Sequence, residues 1–195
     1  MSKTAWMLPS KHSRFKHVIE DTLRQLANWY DEPSQGGDRP KLLSKLAILE
    51  LSGWIEGEFD RLAYHVEKMC LNDTKWVMDN VIARSYGFDY LDHWRIMLTR
   101  LVGEVFTRRI EGWLEENFPG DLEQLKSMLG TLWKIRCDFA HADIVSNVAT
   151  QQRFDAPSWV INQHRIIKRL MEHYEKAIYV VLNDISLPDS EGGVV

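Results

Sequence analysis

The residues best equipped for chemistry stand close together in Trp133-Lys-Ile-Arg-Cys-Asp-Phe-Ala-His141. Arg136 carries a permanent guanidinium, which can hold a phosphate through parallel hydrogen bonds and offset negative charge as it develops. His141, five positions on, titrates near neutral pH and can take or give a proton. Asp138 lies between them. In a regular helix five residues turn ~500°, which sets the two side chains ~140° apart. A single substrate can meet both only if the helix unwinds there, or if a second copy of the motif faces the first across a symmetry axis.

Other chemistries lack their residues. There is no HExxH, no paired Glu-x-x-His and no Cys/His cluster, so no metal site is expected. Gly36-Gly37 precedes a helix but lacks the P-loop lysine and the dinucleotide-binding pattern, and reads as a surface loop. No GxSxG elbow occurs, and Cys137 is an unsupported thiol. Arg61/His65 and Arg169/His173, four apart, each occupy one helical face as solvated or partner-satisfied couples.

Composition narrows the setting. Cys70 and Cys137 are the two cysteines, without a CxxC pair, so neither a disulfide framework nor a zinc site is readable. The N-terminal residues lack an apolar signal core, and no apolar run approaches the ~20 residues that cross a bilayer. A reducing, cytoplasmic location without membrane attachment is the expectation. The net charge of -4 argues against a broadly basic, non-specific nucleic-acid binder while leaving room for a local patch.

The elements that must position this stretch are helices. Residues 1–12 read as an arm. Ser13 is a plausible N-cap for a helix to about Tyr30, with Phe15, Val18, Ile19, Leu23, Leu26 and Ala27 on its apolar side. Asp31-Glu-Pro-Ser-Gln-Gly-Gly-Asp-Arg-Pro40 is a loop, and Pro40 suits the first turn of a second helix over about 40–70. There Leu42, Leu46, Leu49 and Gly53, then Ile55, Phe59, Leu62, Val66 and Met69, follow the helical period; Gly53 reads as a point of close packing. A short helix is expected over 74–84. A third long helix spans about 89–117, with Leu91, Trp94, Leu98, Leu101, Val105 and Phe106 on one face. Phe118-Pro-Gly-Asp121 stops it, and Asp121 suits an N-cap for a fourth helix carrying Leu122, Leu125, Leu129 and Leu132 into the Arg136 stretch. Residues 142–156 read as a loop, and a last helix runs to about Asn183, lined by Val160, Ile167, Leu170, Tyr174, Ala177, Val181 and Ile185. Strand signals are nearly absent. The expectation is an all-α, up-and-down bundle of four to five long helices, one domain over 13–186, with a disordered tail at 187–195.

Arg-x4-His on a late helix of a small all-α bundle resembles the HEPN superfamily. Arg136-Cys-Asp-Phe-Ala-His141 is similar to its Arg-polar-x-x-Ala-His signature, although Cys137 stands where Asn, Asp or His is frequent. Leu49-Glu-Leu-Ser-Gly-Trp-Ile-Glu-Gly57 resembles the early HEPN helix, with Glu56 matching its glutamate. The resemblance covers about residues 40–185 and looks closest to stand-alone proteins such as the RiboL-PSP-HEPN and MAE_28990-like groups.

The resemblance implies a HEPN-like fold and an endoribonuclease that needs neither metal nor cofactor, possessed by a toxin or defence effector and acting as a homodimer. Arg136 and His141 would be catalytic, with Asp138 orienting one of them or the substrate. Glu56 would pair with Arg136 or serve packing and capping. RNA is the implied substrate, DNA is not, and an antitoxin protein is an implied partner. The alternative is a non-catalytic HEPN binding or regulatory module that meets a nucleotide or a nucleotidyltransferase-type antitoxin. Outside the resemblance, Arg136 and His141 suit a helix C-terminal cation and a capping histidine. Apolar residues left over on the third and fourth long helices are the expected dimer face.

Overall fold

The computed structural model describes residues 13–33, 37–141 and 156–184, with side chains described for 19–33, 37–139 and 156–184. The expected arm at 1–12, the expected loop over 142–156 apart from Ala156, Ile185 and the tail at 187–195 fall outside them, as do the side chains of Phe15, Val18 and His141. Among the described residues there is no strand. Six α-helices follow in order: α1 (Ser13–Asp31), α2 (Arg39–Cys70), α3 (Thr74–Asn80), α4 (Arg95–Asn117), α5 (Asp121–His141) and α6 (Pro157–Asp184). Five are long, and α2 and α6 each pack against all the other long helices. This is the expected all-α bundle.

Local chemistry sets the helix ends. Pro40 occupies the first turn of α2, where its missing N–H costs nothing. Asp73 caps α3 by accepting the Trp76 N–H at 2.9 Å. Gly120, at φ +85°, turns the chain between α4 and α5. The core comes from one face of each helix: Ile19, Leu23 and Leu26 of α1, Leu125, Leu129 and Leu132 of α5, and Val160, Ile167, Leu170, Tyr174 and Ala177 of α6 are all buried.

The first half of α2 differs from expectation. Leu42, Leu46 and Leu49 are 53%, 41% and 37% exposed, and a Cβ added to Gly53 would meet no atom within 4 Å. Gly53 is therefore not a close-packing point. The buried face is Ser44, Ala47, Ile48, Leu51 and Ile55. Both sides of this half are apolar, and the side carrying the small residues Ser44 and Ala47 is the one that is buried. Further along, the phase read from sequence holds, and Phe59, Leu62 and Val66 are buried.

Arg61 is buried between α2 and α6. Its Nε donates to Glu58 at 2.8 Å, and its two terminal nitrogens donate to the two oxygens of Glu175 at 2.7 and 2.9 Å. A buried arginine without such partners would cost several kcal/mol. Arg169 likewise donates to Gln124, and His173 meets Asp121 at 2.6 Å. Arg61, Arg169 and His173 are thus each held by third residues.

The third long helix is not continuous. Asp89 accepts the N–H groups of Leu91 and Asp92, and a π-helical turn over Tyr90–Trp94 precedes α4. It seats Trp94 against Phe59 of α2, ring centroids 4.8 Å apart, and brings Tyr90 Oη within 2.9 Å of Tyr174 Oη on α6. Gly103, at φ +80° and ψ +163°, then interrupts α4, a conformation open to glycine and strained for other residues. Arg95 ties the two halves together by donating to Glu104 and Glu111. Each interruption resets the helical phase, so Leu91 and Val105, expected on the core face, are exposed. Exposed large apolar side chains on α4 include Ile96 and Val105, whereas α5 presents none among the described residues; the longest such row is on α2.

Candidate functional site

Glu56 and Asp60 are four residues apart on α2, so one helical turn places them on the same side. Trp133 and Arg136, three apart, share a side of α5. Packing of α2 on α5 brings these two pairs to the wall of a cavity of about 270 Å³. Buried Phe59 backs the wall, itself fixed by its stack on Trp94. The connector between the 3₁₀ turn Ile82–Arg84 and α4 closes one side with Ser85, Tyr86 and Gly87.

Gly87 is required for that closure. It sits at φ +129°, and a Cβ there would lie 2.7 Å from both the Trp133 ring and His93 Nε2. Only glycine lets the connector lie this close to α5. His93 packs its ring edgewise on Trp133, centroids 4.9 Å apart, and its Nδ1 accepts the Asp89 N–H at 3.1 Å. A neutral His93 therefore carries its proton on Nε2. Tyr86, next to Gly87, is 80% exposed at the cavity mouth.

Two charges of opposite sign meet here. Arg136 lays its guanidinium over the Trp133 ring, 5.2 Å from the centroid, a cation–π contact that holds the charge without neutralising it. Asp60 has its pKa raised from 3.8 to about 6, first by burial and then by the neighbouring Glu56 carboxylate. The arrangement offers carboxyl oxygens that accept hydrogen bonds, a fixed cation suited to phosphate, and aromatic faces at wall and mouth.

The structure brings Arg136 and Glu56 to one cavity, although no ion pair between them forms among the described residues. Asp138 is exposed on α5 and is not part of the cavity wall. α5 stays helical through His141, so positions 136 and 141 lie ~140° apart around its axis. Unwinding, one of the two routes to convergence, does not occur. Among the described residues no group of three or more His, Cys, Asp or Glu is gathered as a metal site, and no helix is long and apolar enough to cross a membrane. Sequence reasoning missed Asp60, which the Glu-x3-Asp spacing from Glu56 could have exposed, and Tyr86, for which the sequence carries no signal beyond the adjacent glycine. No protein-family model, curated protein or solved structure matches the chain.

Proposed function

We propose that the protein is a metal-independent endoribonuclease of HEPN type, with Arg136 as the phosphate ligand and His141 as the acid/base group. The observation that carries this is the meeting of Arg136 with Glu56 on one cavity, at the end of a helix that continues unbroken to His141. The ribose 2′-oxygen attacks phosphorus while the bond from phosphorus to the 5′-oxygen breaks, leaving a 2′,3′-cyclic phosphate and a free 5′-hydroxyl. One proton leaves the 2′-hydroxyl and one reaches the departing 5′-oxygen, and His141 handles one of these transfers. Arg136 offsets the charge that grows on the non-bridging oxygens. Asp138 orients His141 or substrate. DNA, lacking the 2′-hydroxyl, cannot follow this route.

An intact helix puts Arg136 and His141 on different sides, so the working site pairs Arg136 of one chain with the partner subunit's His141. The exposed face of α2 supports a second copy as partner. Leucines 42, 46 and 49 fill its first half, and Gly53 and Gly57 leave open space in its second half. Antiparallel pairing about a two-fold axis lays the leucines of each chain on the glycines of the other, the self-complementarity an isologous interface needs. Toxin or defence-effector activity, cytoplasmic location and restraint by an antitoxin protein belong to the same proposal.

Incubation of the purified protein with RNA in EDTA tests it. Cleavage with 2′,3′-cyclic phosphate ends is expected, falling by about a hundredfold or more in Arg136→Ala and in His141→Ala. Cleavage that persists in either variant, or that needs a divalent metal, overturns the assignment.

A further inference from the structure

We propose that the cavity between α2 and α5 is a base-recognition pocket selective for guanine, its Watson–Crick edge read by Glu56 and its ring stacked on Tyr86. This rests on Arg136 acting as a phosphate ligand, and names the nucleotide that it holds.

The wall chemistry narrows the ligand. An ionised carboxylate only accepts hydrogen bonds, so a base that faces Glu56 must present donors. Guanine offers N1–H and N2–H side by side, a fork that matches the two oxygens of one carboxylate. Adenine and cytosine each set one amino group beside a ring nitrogen whose lone pair would face the second oxygen. Uracil sets a single N–H between two carbonyls.

The other walls agree. Tyr86 is 80% exposed where an unstacked base would enter, and an open aromatic face is what single-stranded RNA stacks on. Trp133 forms the inner wall beneath the guanidinium of Arg136, which places a cation where the adjoining phosphate would lie. At about 270 Å³ the space is below the usual range for a whole drug-sized ligand and suits one base with its phosphate outside. A polyamine would satisfy the carboxylates but would meet the cation of Arg136.

Calorimetric titration of the full chain with 3′-GMP, 3′-AMP, 3′-CMP and 3′-UMP in EDTA is the test. The expected result is a preference for 3′-GMP of about tenfold or more, reduced about tenfold by Glu56→Gln while 3′-AMP changes little. Tyr86→Ala, at an exposed position whose removal leaves the core untouched, should weaken all four by similar factors. Equal affinity for the four nucleotides, or undiminished 3′-GMP binding in Glu56→Gln, overturns the pocket. Mapping wild-type cleavage on mixed-sequence RNA separates the two claims. Cleavage without guanine preference sinks the pocket and leaves the nuclease, whereas 3′-GMP selectivity without cleavage keeps the pocket and sinks the nuclease.

Discussion

Asp60 shares a half-buried wall with Glu56, and its burial, with the neighbouring Glu56 carboxylate second, makes stability depend on pH. The charged and titratable groups around Asp60 include Glu56 and Tyr64 on its own helix, Tyr86 on the connector and Arg136 on α5, while α4 contributes the apolar Met97. Its pKa is raised from 3.8 to about 6, so the folded chain binds more protons than the unfolded chain between these values. Stability from this group is then full below about pH 4 and is lost as pH rises through 6. A two-unit shift is worth ~3 kcal/mol in full; partial exposure and screening reduce this to roughly 1 kcal/mol. Between pH 4.5 and 7 the wild type should therefore lose roughly 1 kcal/mol more than Asp60→Asn, measured by urea unfolding at each pH. Parallel pH profiles for the two proteins would show that Asp60 is not perturbed. At this scale the sequence was half legible. Arg136 and Glu56 could be named from a motif and an apolar-small run, but the neutral-range carboxyl beside them depends on burial, which spacing does not reveal.

The elements were legible where one face alone is apolar. α1, α5 and α6 each carry one hydrophobic side, and most residues expected inward are buried where their side chains are described, Ala27 and Val181 being partly buried. α2 is apolar on two sides in its first half, so periodicity could not choose between Leu42/Leu46/Leu49/Gly53 and Ser44/Ala47/Ile48/Leu51. Packing chose the side with small residues. The third long helix failed as a single stripe because a π turn and Gly103 each shift its phase, and neither is written in a hydrophobic pattern. The exposed α2 row makes its own prediction. Leu46→Lys removes an apolar contact from the proposed two-fold face without disturbing the core, so the wild type should run as a dimer by light scattering and the variant as a monomer. Its melting temperature, read at a concentration where the wild type is dissociated, should stay within a few degrees. A monomeric wild type at tens of micromolar, or an unchanged dimer in the variant, would remove α2 from the interface.

For the molecule as a whole, the bundle follows from five long amphipathic or apolar helices, with α2 and α6 at its centre. Arginines in the frame are held in place: Arg61 by Glu58 and Glu175, Arg95 by Glu104 and Glu111. Arg136 instead lies over an aromatic ring beside open space, which is how a cation is kept for a ligand. In the proposed site the unbroken end of α5 calls for a second chain, since one helix cannot turn both positions 136 and 141 toward one phosphate. Mixing two inactive variants tests this most directly. Arg136→Ala and His141→Ala, unfolded together and refolded as a mixture, form about half heterodimers, each with one site that keeps both groups. Metal-free RNA cleavage should return to about a quarter of the wild-type rate, although each variant alone is inactive. A mixture as inactive as its components, with heterodimers shown to be present, would contradict a site shared between two chains.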